Sequence, residues 1–403
     1  MYTSLPPWGG GVSNFIANRR GRPFNLNSYL ECNCIHIFPP PVSHVRIPEI
    51  PMLIKSLYFA GRPSLLILGP PGIGKSESVR AAAAAVAKEL GLPLVEYSDD
   101  VYLDVVKNPE VCLLVDLRLT EVEPADIVGV PRPVDGGAVQ YFPQAWAKAL
   151  SKAKCGFLFL DELTNVQRDD VAAVAYKLLL EKKAGFTKFS EGAMVVAAGN
   201  DPETSPIARP LPAPLINRVV VLKAEPPTVE EWYQYMAERH GDFDKRTYLY
   251  LTLYPEDLLE KAASLETVNN FATPRSWTTL ALLLARGVES PDVIYGLLGP
   301  AVGAKFKAFI STKVDVEDVL SNPQKFDGLK PDERLILLHE VARAAEHRDV
   351  SKFVEFLQGR MEWLILFLRL VKRDVAAKLL SAMPHEVVTR LYKVATIVEK
   401  LKK

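Results

Sequence analysis

Gly69-Pro70-Pro71-Gly72-Ile73-Gly74-Lys75-Ser76 is the stretch that decides the fold. The apolar run Ser64 to Leu68 precedes it and reads as a buried strand. The Ala-rich run Glu77 to Leu90 follows and reads as a helix, stopped by Gly91. The spacing is G-x-x-x-x-G-K-[ST] in its required strand-to-helix context. Glycines at these places let the backbone curl so that several N–H groups point inward. Those donors, with the positive end of the helix, hold phosphate oxygens. Gly69 through Glu77 are therefore the candidate nucleotide-binding residues. Lys75 is expected on the β- and γ-phosphates, and the Ser76 hydroxyl on Mg²⁺.

Two further strand ends complete this pattern. Phe157-Leu158-Phe159-Leu160 runs into Asp161-Glu162, about 85 residues downstream. Open α/β sheets bind ligands at the carboxyl ends of their strands. Asp161 there is a candidate Mg²⁺ ligand, and Glu162 a candidate base that polarises the attacking water. Val195-Val196-Ala197-Ala198-Gly199 ends in Asn200, an amide suited to orienting a water beside the γ-phosphate. The acidic pair and the phosphate loop together imply Mg²⁺-dependent hydrolysis of a nucleotide.

Working outward, apolar runs at Val111 to Leu117 and Val219 to Leu222 add further strands. Helical patterns lie between them. In one, Val171, Val174, Ala175, Leu178 and Leu179 fall on a single face. Alternating strands and helices predict a parallel sheet covered on both faces. The pattern changes after Pro226-Pro227. Helices are predicted at Val229 to Arg239, Leu258 to Ser264, Ser276 to Arg286, Asp332 to Ala345, Val350 to Leu370 and Glu386 to Leu401. Asn322 to Lys330 reads as a linker. The predicted regions are a Gly/Pro/Asn-rich extension over 1–48, a nucleotide-binding core over 49–225, a helical lid over 226–321 and C-terminal helices over 322–403. Leu92 to Pro109 is long for its place. It reads as an extra strand and an acidic loop, and leaves open whether Pro93–Tyr97 or Val111–Leu117 is the second core strand.

Forty-eight Lys and Arg balance forty-eight Asp and Glu in 403 residues. A zero balance argues against a strongly basic nucleic-acid binder, although Arg19, Arg20, Arg22, Lys400, Lys402 and Lys403 give the tails some positive charge. Spanning a bilayer takes ~20 continuous apolar residues. The best candidate by eye, Trp363 to Leu370, is short and contains Arg369, so no membrane association is expected. Met1 to Gly10 lacks a basic start followed by an apolar run, so no secretory leader is expected. Cys112 and Cys155, in or beside apolar runs, read as buried free thiols. Cys32, Cys34 and His36 are close together, but no second Cys or His pair follows at zinc spacing. The expected compartment is the cytoplasm.

The order of these elements resembles an AAA+ ATPase, and within that class the MoxR branch of the helix-2-insert group. Asp116-Leu117-Arg118-Leu119-Thr120 and Glu123-Pro124-Ala125-Asp126-Ile127-Val128-Gly129-Val130-Pro131 resemble the branch's segment entering helix 2. Asp135 to Phe142 fits the small hairpin of the insert. Leu215-Ile216-Asn217-Arg218 looks like the Arg-bearing segment before the last core strand, and Thr273-Pro274-Arg275-Ser276-Trp277 like the sensor-2 motif of the lid. The likeness covers roughly residues 50–315.

The resemblance implies a P-loop AAA+ core with a five-stranded parallel sheet, a β-hairpin insert, an all-helical lid and a ring of six copies in which subunits share active sites. It implies that Asn200 is sensor 1, that Arg218 is the arginine finger given to a neighbour's nucleotide, with Arg209 as its rival, and that Arg275 reaches the nucleotide from the lid, in cis or in trans. Proteins of this branch act on protein clients, commonly with a partner carrying a von Willebrand factor A domain. The alternative is a helicase-like motor that moves nucleic acid. A nucleotide-gated scaffold with negligible turnover fits poorly with an intact Asp161-Glu162 pair.

Overall fold

The computed structural model describes residues 44–202, 205, 208–260 and 270–401, and the side chains as far as 393. Arg19, Arg20, Arg22, Cys32, Cys34, His36, Lys402 and Lys403 lie outside the described residues, as does the end of the helix predicted at Leu258 to Ser264.

The first part alternates strand and helix: β1 (His44–Arg46), α1 (Ile50–Phe59), β2 (Leu65–Leu68), α2 (Lys75–Leu90), β3 (Leu94–Glu96), α3 (Tyr102–Lys107), β4 (Cys112–Arg118) and α4 (Pro124–Val128). It continues through a hairpin of β5 (Val130–Val134) and β6 (Ala138–Phe142), then α5 (Ala145–Lys152), β7 (Cys155–Asp161) and α6 (Asp169–Glu181). A second small hairpin of β8 (Lys183–Ala184) and β9 (Thr187–Lys188) precedes β10 (Ala193–Gly199), α7 (Ala213–Ile216) and β11 (Val220–Glu225).

The main sheet has seven strands in the order β1-β11-β2-β10-β7-β4-β3, and every pairing is parallel. The expected five strands are its centre. The three-residue strands β1 and β3 extend it at the two edges, which corrects the expected count. Val111–Leu117 is accordingly the strand beside β7, and Leu94–Glu96 the outer one. Alternate residues of each strand enter two cores. Leu66, Leu68, Leu113, Val115, Leu158 and Leu160 pack with α5 and α6. Leu65, Ile67, Cys112, Leu114, Phe157 and Phe159 pack with α1 and α2. Burial on both faces is why these strands read as unbroken apolar runs.

Cys112 and Cys155 are not free thiols. They are register partners in β4 and β7, their Cα atoms stand 4.2 Å apart, and their sulfurs are joined as a disulfide. The acidic segment expected as a loop forms α3, with Val105 buried against the core.

Helices make up the second part: α8 (Val229–Arg239), α9 (Arg246–Leu253), α10 (Pro274–Ala285), α11 (Pro291–Ile310), α12 (Val316–Ser321), α13 (Pro331–Ala344), α14 (Ser351–Leu357), α15 (Met361–Leu370), α16 (Arg373–Ala382) and α17 (His385–Leu401). The single helix expected over Val350 to Leu370 is two, because the chain turns at Gly359-Arg360. The expected linker at Asn322 to Lys330 contains a 3₁₀ turn whose Phe326 is fully buried among Phe353, Phe356 and Trp363. One apolar core runs from Trp232 in α8 to Met383 beyond α16. Among the described residues α11 is the helix long and apolar enough to cross a membrane by length and composition. It breaks at Gly299-Pro300 and contributes Ile294, Leu298, Val302, Phe306 and Phe309 to this core.

Candidate nucleotide site

β2 lies between β11 and the central strand β10, so its carboxyl end opens in the interior of the sheet and not at an edge. The loop that follows starts against β10, with Gly69 N–H donating to Gly199 O at 3.2 Å. Gly72 and Gly74 take φ of 72° and 109°, where a side chain on the L-form backbone is strained. Gly74 is the residue before α2, so its turn delivers the free N–H groups of the helix start to the loop interior.

Lys75 is buried. Its Nζ donates to Gly69 O at 2.8 Å and Pro70 O at 2.7 Å. Burial pushes its pKa down to about 8, Asp161 opposes that shift, and Arg275 adds to it. The neighbouring Ser76 hydroxyl donates to Asp161 Oδ2 at 2.9 Å. A hydroxyl and a carboxylate at that spacing, beside a phosphate-binding turn, are the hard oxygen donors that suit Mg²⁺, which takes one or two protein ligands and fills its remaining positions with water and phosphate oxygens. The two residues therefore fit the ion. When bound, it would neutralise charge on the phosphates.

Glu162 follows Asp161 in the left-handed region, at φ 61° and ψ 31°. Its backbone N–H donates to Asp161 Oδ1 at 2.9 Å, and its Oε2 accepts from Thr120 Oγ1 at 2.8 Å. Asn200 stands beside this turn. Its Nδ2 donates to Asn165 Oδ1 at 3.2 Å, and its backbone is held by Thr164. Asp116, one strand over, has its pKa raised, first by partial burial and then by Asp161.

The lid closes the other side. The Arg275 N–H, at the start of α10, donates to Gly72 O at 3.1 Å. A Cβ on Gly72 would stand 2.9 Å from Thr273 Oγ1. Two ion pairs add to this seam: Arg239 of α8 with Glu77 at 3.3 Å, and Arg46 with Glu231 at 2.8 Å. Arg275 is thus placed against the phosphate loop of its own chain.

Asp161, Glu162, Asn200, Lys75, Ser76 and Arg275 all converge here. Arg218 does not. It is exposed beyond α7 and makes no side-chain hydrogen bond or ion pair among the described residues. Arg209 is tied down within its own chain. Its guanidinium donates to Val166 O, Gln167 O and Asp169 Oδ1 at 3.2, 3.3 and 2.6 Å. Sequence reasoning assigned no role to Thr120, Thr164, Asn165 or Thr273. Only Thr273 carries a local signal: it opens the capping box Thr273-x-x-Ser276.

Residues 65–219 match the family model described as "ATPase family associated with various cellular activities (AAA)". The chain thus carries an AAA ATPase domain, a nucleotide-binding α/β P-loop fold, followed by a helical C-terminal region. Comparison with curated proteins gives no match. Among solved structures the chain is similar to Aeropyrum pernix ORC2, with 14% identity, 87% of this chain and 94% of that one covered, and a TM-score of 0.34. It is also similar to Caenorhabditis elegans PCH-2, at 12% identity, 67% and 63% coverage and a TM-score of 0.30. NtrX from Brucella abortus shows 16% identity, 77% and 67% coverage and a TM-score of 0.33. At these scores the likenesses carry no functional weight.

Proposed function

We propose that this chain is a Mg²⁺-dependent, ATP-hydrolysing ring protein of MoxR type that remodels a protein client. The observation that carries the reading is the meeting of Ser76 and Asp161 at 2.9 Å, with Glu162 next in the chain, beside a phosphate loop that ends in Lys75. Lys75 and the loop N–H groups bind the phosphates, Ser76 and Asp161 hold the ion, and Glu162 accepts the proton of the attacking water, which Asn200 orients. Arg275 senses the γ-phosphate from the lid of the same chain. Arg218, exposed and uncommitted, serves the nucleotide of a neighbouring copy.

A polypeptide client is supported by the two hairpins. Val139, Tyr141, Phe142 and Phe186 are exposed there, Phe186 by 82% and Val139 by 64%, and the Tyr141 and Phe186 rings approach within 5.6 Å. Clustered exposed apolar side chains suit a peptide chain better than a phosphate backbone, which calls for Lys and Arg. A partner with a von Willebrand factor A domain and a cytoplasmic location belong to the same proposal.

Phosphate release with Mg²⁺ tests the reading. Lys75→Ala should abolish tight ATP binding. Glu162→Gln should retain ATP and slow hydrolysis at least ~10²-fold. Unchanged turnover in either variant sinks the assignment. Salt-sensitive stimulation by DNA would replace the polypeptide client with nucleic acid.

A further inference from the structure

We propose that Thr164 is a positioning residue for hydrolysis: its hydroxyl clamps Asn200 to the strained turn that carries Glu162. The inference rests on the hydrolytic role proposed above for Glu162 and Asn200.

Thr164 lies in the 3₁₀ turn Leu163–Asn165, two residues after Glu162, and is 0% exposed. A hydroxyl has one proton to give and two lone pairs to accept with. Thr164 Oγ1 accepts the Asn200 N–H at 2.8 Å and donates to Asn200 O at 3.0 Å. Both backbone groups of Asn200 therefore bond to one buried side chain. The Thr164 carbonyl is engaged as well, accepting the Arg209 N–H at 2.7 Å. The next residue completes the contact, as Asn165 Oδ1 accepts from Asn200 Nδ2 at 3.2 Å. Asn165 N–H also closes the Glu162 turn by donating to Glu162 O at 2.9 Å.

The fit is tight from the other side too. A Cβ on Gly199 would stand 2.6 Å from Thr164 Oγ1, so that position must lack a side chain for the hydroxyl to reach Asn200. A non-glycine residue held at φ 61° persists only where its surroundings over-determine it. The Thr164–Asn200 clamp supplies part of that constraint. It joins the end of β7 to the end of β10 at the carboxyl edge of the sheet. Thr164 touches neither nucleotide nor water in this scheme, so it acts through Glu162 and Asn200.

The test measures turnover with Mg²⁺ and the affinity for a fluorescent ATP analogue in four full-length variants. Thr164→Val keeps the shape and removes both bonds. It should lower kcat at least ~10-fold while leaving affinity within about threefold, the pattern of an interaction that matters in the transition state. Thr164→Ser restores the hydroxyl and should recover kcat to within about threefold of wild type. Thr164→Ala/Gly199→Ala refills the space without a hydroxyl and should stay slow. If Thr164→Val does not fold, Gly199→Ala displaces the hydroxyl with Thr164 in place and should show the same kcat loss. Wild-type kcat in Thr164→Val, affinity lost in step with kcat, or full recovery in the double variant would each overturn the proposal. Lys75→Ala serves as the separate control: if it turns over as fast as wild type, the reading of the site fails rather than the role of Thr164.

Discussion

Thr120 Oγ1 donates to Glu162 Oε2 across 2.8 Å, so the carboxylate proposed to activate water is held by a hydroxyl from the end of the neighbouring strand. A hydrogen bond to the carboxylate fixes its direction and occupies a lone pair that could otherwise face the attacking water. Thr120→Val removes the donor and keeps the shape. Basal phosphate release should rise about two- to tenfold, the scale of one net hydrogen bond. An unchanged or lower rate would mean that the bond orients Glu162 productively instead of restraining it.

Gly72 carries the seam between phosphate loop and lid. A methyl there meets Thr273 at 2.9 Å and is strained by φ 72°. Gly72→Ala should weaken ATP binding at least ~10-fold, because the loop and the start of α10 cannot both keep their places. Gly91→Ala separates strain from contact. Gly91 also has a positive φ, of 65°, but open space around it. That variant should lose thermal stability and keep its ATP affinity. Equal affinity losses in the two would show that strain alone weakens binding.

Lys75 sets a pH dependence. Its pKa falls on folding from 10.5 to about 8, chiefly through burial. Between those values the unfolded chain holds more protons, so the stability of the nucleotide-free protein from this group rises with pH through that window. Below about 8 the cost of the buried charge is fully present. Phosphates favour the charged form. ATP binding should therefore take up a proton above pH 8 and weaken by at most ~10-fold per pH unit. Calorimetry at pH 8.5 in two buffers of different ionisation enthalpy reads this uptake directly. Lys75→Arg, permanently charged, should show none. Equal proton uptake in both proteins would place the titrating group elsewhere.

The phosphate loop, the acidic pair and the central strands were legible because each combines a local pattern with its neighbours. Four buried residues, Leu65 to Leu68, run straight into the glycines. The edges were not legible in full. β1 is three residues long, too short for periodicity to mark, whereas the extra strand read within Leu92 to Pro109 is the three residues of β3; both exist because β11 and β4 offer free edges to pair with. α11 escaped notice because Gly299-Pro300 reads as a break, whereas the chain turns there and continues as helix. Cys112 and Cys155 are 43 residues apart, and only the register of β4 against β7 brings them together. Thr164 was illegible for a similar reason: its partner is 36 positions away, and a lone threonine after two acids has no signature.

Arg218 and Arg209 divide the remaining roles. Arg209 donates to Val166, Gln167 and Asp169 of its own chain, whereas Arg218 makes no such side-chain bond among the described residues. Arg209→Ala should mainly lower thermal stability, by about 1 kcal/mol for a partly exposed set of bonds. Arg218→Ala should leave folding and ATP affinity close to wild type and remove turnover, since a missing arginine in phosphate chemistry costs about 10³–10⁵ in rate. Mixing then asks where that arginine acts. Subunits with Arg218→Ala keep Glu162, and subunits with Glu162→Gln keep Arg218. Each should be inactive or nearly so alone. Activity recovered in the mixture requires that one copy's arginine completes another copy's site. A mixture as inactive as its parts, from proteins shown to co-assemble, would place Arg218 outside the shared site.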